Sequence, residues 1–98
     1  MIHEVVTLNI RPGQTAAFER DFITASALIR DIKGYITHEL GRCLESHHRY
    51  VLMVQWESLE SHTVGFRQSA NYTHWKRLLH HYYDPVPAVE HFEPVPLG

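Results

Sequence analysis

The chain of 98 residues is long enough for one hydrophobic core and too short for two. Its formal net charge of −2 shows none of the basic excess that nucleic-acid-binding proteins carry, so we expect no nucleic-acid partner. No apolar run approaches the roughly 20 residues of a membrane span, and the N-terminus lacks the pattern of a signal peptide. With a single cysteine, Cys43, the composition predicts a cytoplasmic protein that forms one domain over residues 1–98, with 94–98 as a tail.

The first half of the chain predicts a strand followed by a helix. Residues alternate in polarity from Ile2 to Ile10, with Glu4 as the one polar residue on the apolar face. A turn at Arg11-Pro12-Gly13 leads into a helix over about 15–32, which Gly34 ends. The apolar stripe of this helix consists of Phe18, Phe22, Ala25, Ile29 and Ile32.

The second half predicts a hairpin, a broken helix and a last strand. Strands over Tyr35–Leu44 and Tyr50–Trp56 flank a polar tip, and the second of them is apolar enough to be covered on both faces. Ser58 begins a short helix that Gly65 interrupts, and a further helix extends from Ser69 to about Tyr83. The last predicted strand covers about 88–92.

This order of elements predicts an α+β fold. It is the ferredoxin-like βαββαβ arrangement, a four-stranded antiparallel sheet with both helices on one face. The other face of such a sheet is left bare, and a monomer rarely exposes that much apolar surface. We therefore expect a homodimer that buries the helix-free face.

No sequence motif identifies a reaction, so the candidate site residues come from their positions. No two histidines stand at the i, i+4 spacing of a helical metal pair, and we expect no metal. His62, three residues after Leu59 and four before Phe66, is predicted to face inward; the alternative is a partly exposed or hydrogen-bonded core histidine. For Glu4 we expect a place in solvent at the strand end rather than burial with a raised pKa.

Aromatic residues of the second half predict the wall of an apolar cavity between sheet and helices. The alternative for each of them singly is an ordinary place in the core. His74 lies beside this set on the flank of the helix, and His91 alternates with Glu90 and Phe92 on a strand face that the sequence does not identify. The predicted wall residues are Trp56, Phe66, Tyr72 and Trp75, with His74 and His91 as polar candidates.

Several segments together resemble the antibiotic biosynthesis monooxygenase family of dimeric α/β barrels. They are Arg11-Pro12-Gly13, Gly34-Tyr35, the segment from Trp56 to His62, Gly65-Phe66-Arg67-Gln68-Ser69 and Val89-Glu90-His91-Phe92. The resemblance covers nearly the whole chain and implies a homodimer with a cavity in each subunit. It also implies one of several activities: some members oxygenate aromatic compounds without metal or flavin, and others degrade haem. Where the haem-degrading branch has Asn, Trp and His, this chain has Val6, Phe66 and Lys76, which argues against haem degradation.

Two functions from different classes follow from these observations. The first is a monooxygenase without cofactors that acts on a small phenolic or enolic compound and molecular oxygen, with His62 as the base and His74 or His91 as alternatives. The second is a non-catalytic small-molecule-binding or stress-related protein of the same fold. A histidine that projects into an enclosed cavity beside aromatic residues favours the enzyme.

Overall fold

A computed structural model describes residues 1–98 and contains four strands and two α-helices. The strands are β1 (Ile2–Asn9), β2 (Tyr35–Arg42), β3 (Arg49–Trp56) and β4 (Val89–Phe92). The helices are α1 (Thr15–Arg30) and α2 (Ala70–Leu79), with a π-helical turn at Ser61–Phe66 and a 3₁₀ turn at His80–Tyr82. All strand pairs are antiparallel in the order β2-β3-β1-β4, which confirms the predicted ferredoxin-like α+β fold. Neither helix has the length and apolar composition that a membrane crossing requires.

The core lies between one face of the sheet and the two helices. In β1 the alternation buries Glu4, Val6 and Leu8, while Thr7 is exposed. The predicted stripe of α1 is confirmed by four of its five residues; Ile32 lies beyond the helix end and is only partly buried. The stripe meets Trp75 and Leu79 of α2, so both helices cover the same sheet face.

Strand β3 is internal, as predicted, but only one of its faces is covered within the chain. Tyr50, Leu52, Val54 and Trp56 point to the helices and are buried. On the other face Met53 has 38% of its surface exposed. The prediction that both faces are covered is therefore wrong for a single chain, because nothing in the chain folds over the second face.

The segment after β3 differs from the predicted broken helix. Ser58 accepts a hydrogen bond at Oγ from the backbone N–H of Ser61, as an N-cap does, and Gly65 lies inside the turn without ending it. The backbone N–H of Arg67 bonds to the carbonyl of His62, five residues back, which is the π-helical pattern. This wider turn buries His62 and leaves Leu59 39% exposed, so the predicted inward stripe that included Leu59 is wrong.

Ser69 caps α2 as predicted, since its Oγ accepts from the backbone N–H of Tyr72. The helix ends at Leu79 rather than near Tyr83, and the following residues tighten into the 3₁₀ turn. Between this turn and β4, Val86 and Pro87 lie on the same side of the sheet as the helices, because they line one cavity together with Val6 of β1.

Candidate active site

A cavity of about 240 Å³ lies between β1, the π-helical turn and α2. Most of its lining is apolar, including Val6 and Leu52 from the sheet and Ile29 from α1. The polar side chains that reach it are Glu4, His62, Arg67, Tyr72, His80 and Tyr83. A largely apolar cavity with a few convergent polar groups is the usual form of a small-molecule site.

The predicted site residues fall into three groups. His62, Phe66, Tyr72 and Trp75 line the cavity. Trp56 and His91 do not line it, so their predicted place in the wall is wrong; both contact His62 instead. The third group is His74 alone, which is exposed on α2 outside the cavity, so its predicted place in the wall is wrong. His74 faces solvent because the buried side of α2 is formed by Trp75 and Leu79.

Glu4 is a buried carboxylic acid in the wall of the cavity. It is 6% exposed, and the indole N–H of Trp56 donates to its Oε1 at 2.9 Å. The expectation of a solvent position is therefore wrong, because Glu4 lies on the core face of β1 and has a partner from β3. Burial raises the pKa of Glu4, while the Trp56 hydrogen bond and the positive charge of Arg67 oppose the rise.

His62 is the most enclosed titratable group beside the cavity. It is 3% exposed, and its ring stacks on that of Trp56 with centroids 5.4 Å apart at 19°. Its Nε2 lies 3.4 Å from Oε1 of Glu4, and its Nδ1 lies 2.8 Å from Nε2 of His91. Burial lowers the pKa of His62 to about 3, with contributions from the charges of Arg67 and His91. The imidazole is therefore neutral at neutral pH.

The sheet register brings His91 to this group. Glu4 and His91 are directly opposite each other on β1 and β4, so their side chains share the face that carries the core. His91 is partly exposed, and burial together with the charge of Arg67 lowers its pKa. The result is a contiguous chain of polar groups from Glu4 through His62 to His91.

Arg67 supplies a positive charge at the edge of the cavity. Its side chain lines the cavity, yet the residue is exposed as a whole. Its charge lowers the pKa of His62 and of His91 and opposes the rise at Glu4. A cation in this position favours an anionic ligand group.

Sequence reasoning missed Glu4 as a site residue and missed the pairing of His62 with His91. The signal for Glu4 was present, since it is the only charged residue on an otherwise apolar strand face. The pairing left no local signal, because the two histidines are 29 positions apart and meet only through the sheet. No cluster of three or more His, Cys, Asp or Glu side chains has the arrangement to hold a metal ion.

A second, more open hollow of about 270 Å³ lies between α1 and β2. Ser26 Oγ lies 2.9 Å from His38 Nε2, and the other ring nitrogen of His38 bonds to the hydroxyl of Tyr35. This resembles a nucleophile with its base, but Ser26 lies within α1, where backbone amides bond to the helix itself. No backbone donors are thus left to stabilise an oxyanion, and the first cavity is the better candidate.

Comparison with known proteins agrees with this architecture. A model of the antibiotic biosynthesis monooxygenase family matches residues 1–78. YczJ of Bacillus subtilis (strain 168), an uncharacterized protein, is 50% identical over 95 residues, which cover 97% of this chain and 100% of YczJ.

Solved structures show the same likeness. A Bordetella bronchiseptica protein assigned to the antibiotic biosynthesis monooxygenases is 34% identical, with a TM-score of 0.92 over 97% of each chain. A variant of SnoaB, a cofactor-independent oxygenase from Streptomyces nogalater, has a TM-score of 0.82 over 95% of this chain and 91% of SnoaB. At 17% identity, SnoaB shares the fold alone. From the family match and the relatives above 30% identity, the chain belongs to the antibiotic biosynthesis monooxygenase family.

Proposed function

We propose that this protein is a monooxygenase without cofactors that oxidises a small, acidic phenol or enol in the cavity beside His62. The observation that carries the proposal is a neutral, buried imidazole that faces an aromatic cavity with a cation at its edge. Membership of the family and the shared fold with SnoaB, itself a cofactor-independent oxygenase, support the reaction class.

The reaction needs a base, a dry cavity and a place for oxygen. His62 removes the hydroxyl proton, and the resulting anion transfers an electron to O₂. Recombination at a ring carbon gives a peroxide, whose O–O bond then breaks. His62 returns its proton to the outer oxygen of the peroxide. Loss of the hydrogen on the same ring carbon then breaks the O–O bond, which leaves one oxygen on the ring as a carbonyl and releases the other as water with that hydrogen as its second proton. A phenol and O₂ thus give a quinone and water, and the substrate supplies all four electrons.

The low pKa of His62 restricts the substrate. A base whose pKa is about 3 in the empty cavity gains protons only when a negative charge develops beside it. The anion of the substrate provides that charge, and Arg67 at the cavity edge stabilises the anion in turn. We therefore expect acidic phenols and enols to react and weakly acidic alcohols to be inert.

The size of the cavity restricts the substrate further. A cavity of roughly 150 Å³ holds benzene, and pockets for drug-sized ligands begin at about 300 Å³. The cavity here, at about 240 Å³, suits a compound with one aromatic ring and small substituents. Phe66, Tyr72 and Trp75 offer ring edges and faces for it to pack on.

Oxygen uptake with a panel of acidic one-ring phenols and hydroquinones tests the proposal, in chelator-treated buffer with flavin-free protein. Replacing His62→Ala should lower turnover by roughly 10²–10⁴-fold. His74→Ala is the matched control, because that imidazole is exposed outside the cavity and its loss should leave turnover unchanged. Absence of uptake with the whole panel, or uptake that requires added metal or flavin, would contradict the proposal.

A non-catalytic binding protein is the second candidate, and the weak basicity of His62 is the observation that favours it. Such a protein would bind the same one-ring anions through Arg67 and the aromatic wall. Calorimetric binding of the panel without any oxygen uptake would select this function over the monooxygenase.

We also propose that the protein works as a homodimer. On the helix-free face of the sheet, Met53 and Phe92 are 38% and 50% exposed, and Val51 is only partly buried. A second copy is the simplest cover for such a face. Sedimentation at micromolar concentration should give twice the chain mass, and a clean species of 11.5 kDa would contradict the proposal.

A further inference from the structure

We propose that His91 is a positioning residue that fixes the tautomer of His62 and shares the proton that His62 removes from the substrate. This inference rests on the proposed function, since it concerns the same base. It adds a role for β4, a strand that contributes no residue to the catalytic wall except Val89.

The contact between the two rings decides which nitrogen of His62 is available to a substrate. Nδ1 of His62 and Nε2 of His91 are 2.8 Å apart, a full hydrogen bond in which one ring donates and the other accepts. The other nitrogen, Nε2, has only the looser contact of 3.4 Å with Oε1 of Glu4. His62 and Glu4 both line the cavity, so we assign the Nε2 edge of His62, which faces Glu4, to the substrate hydroxyl.

Glu4 favours one of the two possible tautomers. Its Oε1 already accepts the indole N–H of Trp56 and lies 3.4 Å from Nε2 of His62, which is long for an N–H···O hydrogen bond. The contact of 2.8 Å between Nδ1 of His62 and Nε2 of His91 is the better place for the N–H. His62 then carries its proton on Nδ1 and donates it to Nε2 of His91, which leaves the lone pair of Nε2 on the cavity side.

The same arrangement stabilises the protonated state of His62. When Nε2 takes the substrate proton, the imidazolium strengthens its Nδ1–H bond to neutral His91, and the proton on Nδ1 can move to that ring. In hydrolytic triads an oriented acceptor behind the catalytic histidine likewise fixes its tautomer and stabilises its imidazolium, although there the acceptor does not take the proton. In the reaction proposed above the proton returns to the leaving oxygen, so the pair resets with no net gain or loss. The charged or titratable groups that face the pair are Glu4 and Arg67.

Two replacements of His91 separate positioning from proton sharing. In His91→Gln the amide oxygen still accepts the Nδ1–H of His62 but cannot take its proton. In His91→Leu both roles are lost. His47→Leu is the matched control, because His47 is an exposed imidazole at the tip between β2 and β3. His91 lies on an edge strand and is partly exposed, so we expect all three variants to fold.

The first measurement is the ¹⁵N NMR spectrum of the imidazoles in the substrate-free protein, which reports the tautomer independently of any activity. We expect protonation on Nδ1 of His62 in the wild type and in His91→Gln, and a mixture of tautomers in His91→Leu. A wild-type His62 protonated on Nε2, or an unchanged tautomer in His91→Leu, would overturn the positioning role.

The second measurement is steady-state oxygen uptake. His91→Leu should lower kcat by about 10–100-fold, as the loss of an orienting partner of a histidine commonly does, with KM unchanged because His91 does not line the cavity. His91→Gln should recover only part of that loss. Full activity of His91→Leu in an active enzyme overturns the inference while the proposed function stands. A wild type that takes up no oxygen removes the proton-sharing role together with the proposed function, and the NMR result still decides the positioning role.

Discussion

The burial of His62 makes the stability of the fold sensitive to acid. The pKa of this imidazole falls from 6.5 to about 3 on folding, so between these values the unfolded chain binds a proton that the folded chain does not. The free energy of unfolding therefore decreases as the pH falls below 6.5, by at most about 1.4 kcal/mol per pH unit. At a pH of about 4.5 the accumulated loss from this one group is roughly 2–3 kcal/mol.

Glu4 changes the free energy of unfolding with pH in the direction opposite to that of His62. Its raised pKa means that above 4.5 the folded chain keeps a proton that the unfolded chain releases, so stability is lost as the pH rises through that raised value. The two contributions overlap, and a comparison in the Glu4→Gln background isolates that of His62. His38, His80 and His91 also have lowered pKa values, so they change stability with pH in the same direction as His62. They are present with and without the replacement of His62, so the comparison does not depend on them.

Urea unfolding of Glu4→Gln and of Glu4→Gln/His62→Asn at one fixed protein concentration measures the effect. Between about pH 7 and pH 4.5 the single variant should lose roughly 2–3 kcal/mol more than the double variant. Adding His74→Asn to Glu4→Gln is the control for the removal of an imidazole, because the side chain of His74 is exposed outside the core. Parallel stability curves for the single and double variants would refute the argument that burial suppresses protonation of His62.

Three further outcomes follow from single contacts. Trp56→Phe keeps a ring beneath His62 but removes the indole N–H from Glu4, and should lower the unfolding free energy by about 1–3 kcal/mol in urea. Arg67→Gln should raise the pKa values of His62 and His91 in an NMR titration; unchanged values would show that its charge does not reach them. Gly34→Ala should destabilise more than Gly13→Ala, because both have positive φ but only at Gly34 would an added Cβ overlap the side chain of Ser61. Equal thermal shifts for the two glycine variants would contradict that steric argument.

The sequence predicts those parts of the fold that depend on local periodicity. Alternation in β1 and the stripe from Phe18 to Ile29 in α1 each record the side of one element that meets the core, and both are as expected. The caps Ser58 and Ser69 are equally local, since each bonds to a backbone N–H three residues on. No information from distant segments is needed to predict such features.

The site depends on contacts that are distant in sequence, and here prediction from the residues failed in part. The local pattern predicts a solvent position for Glu4 because it carries no signal of Trp56, a partner 52 positions away. Proximity to Trp75 in sequence predicts a place near the cavity for His74, although adjacent residues on a helix point about 100° apart. The α-helical spacing predicts an inward Leu59, but the π-helical turn does not follow that spacing.

The π-helical turn connects this fold to its site. Each hydrogen bond of a π-helical turn spans five residues, whereas each bond of an α-helix spans four. The bond from the N–H of Arg67 to the carbonyl of His62 therefore widens the backbone at the cavity. His62 and Phe66 are both buried by this turn, and Arg67, the next residue, reaches the cavity edge while remaining exposed. One irregular turn thus places the base, an aromatic wall residue and the cation within six consecutive residues, opposite the acid that β1 provides. π-helical turns are energetically less favourable than α-helical ones and often occur at functional sites. In a regular helix His62, Phe66 and Arg67 would not share their orientation toward the cavity.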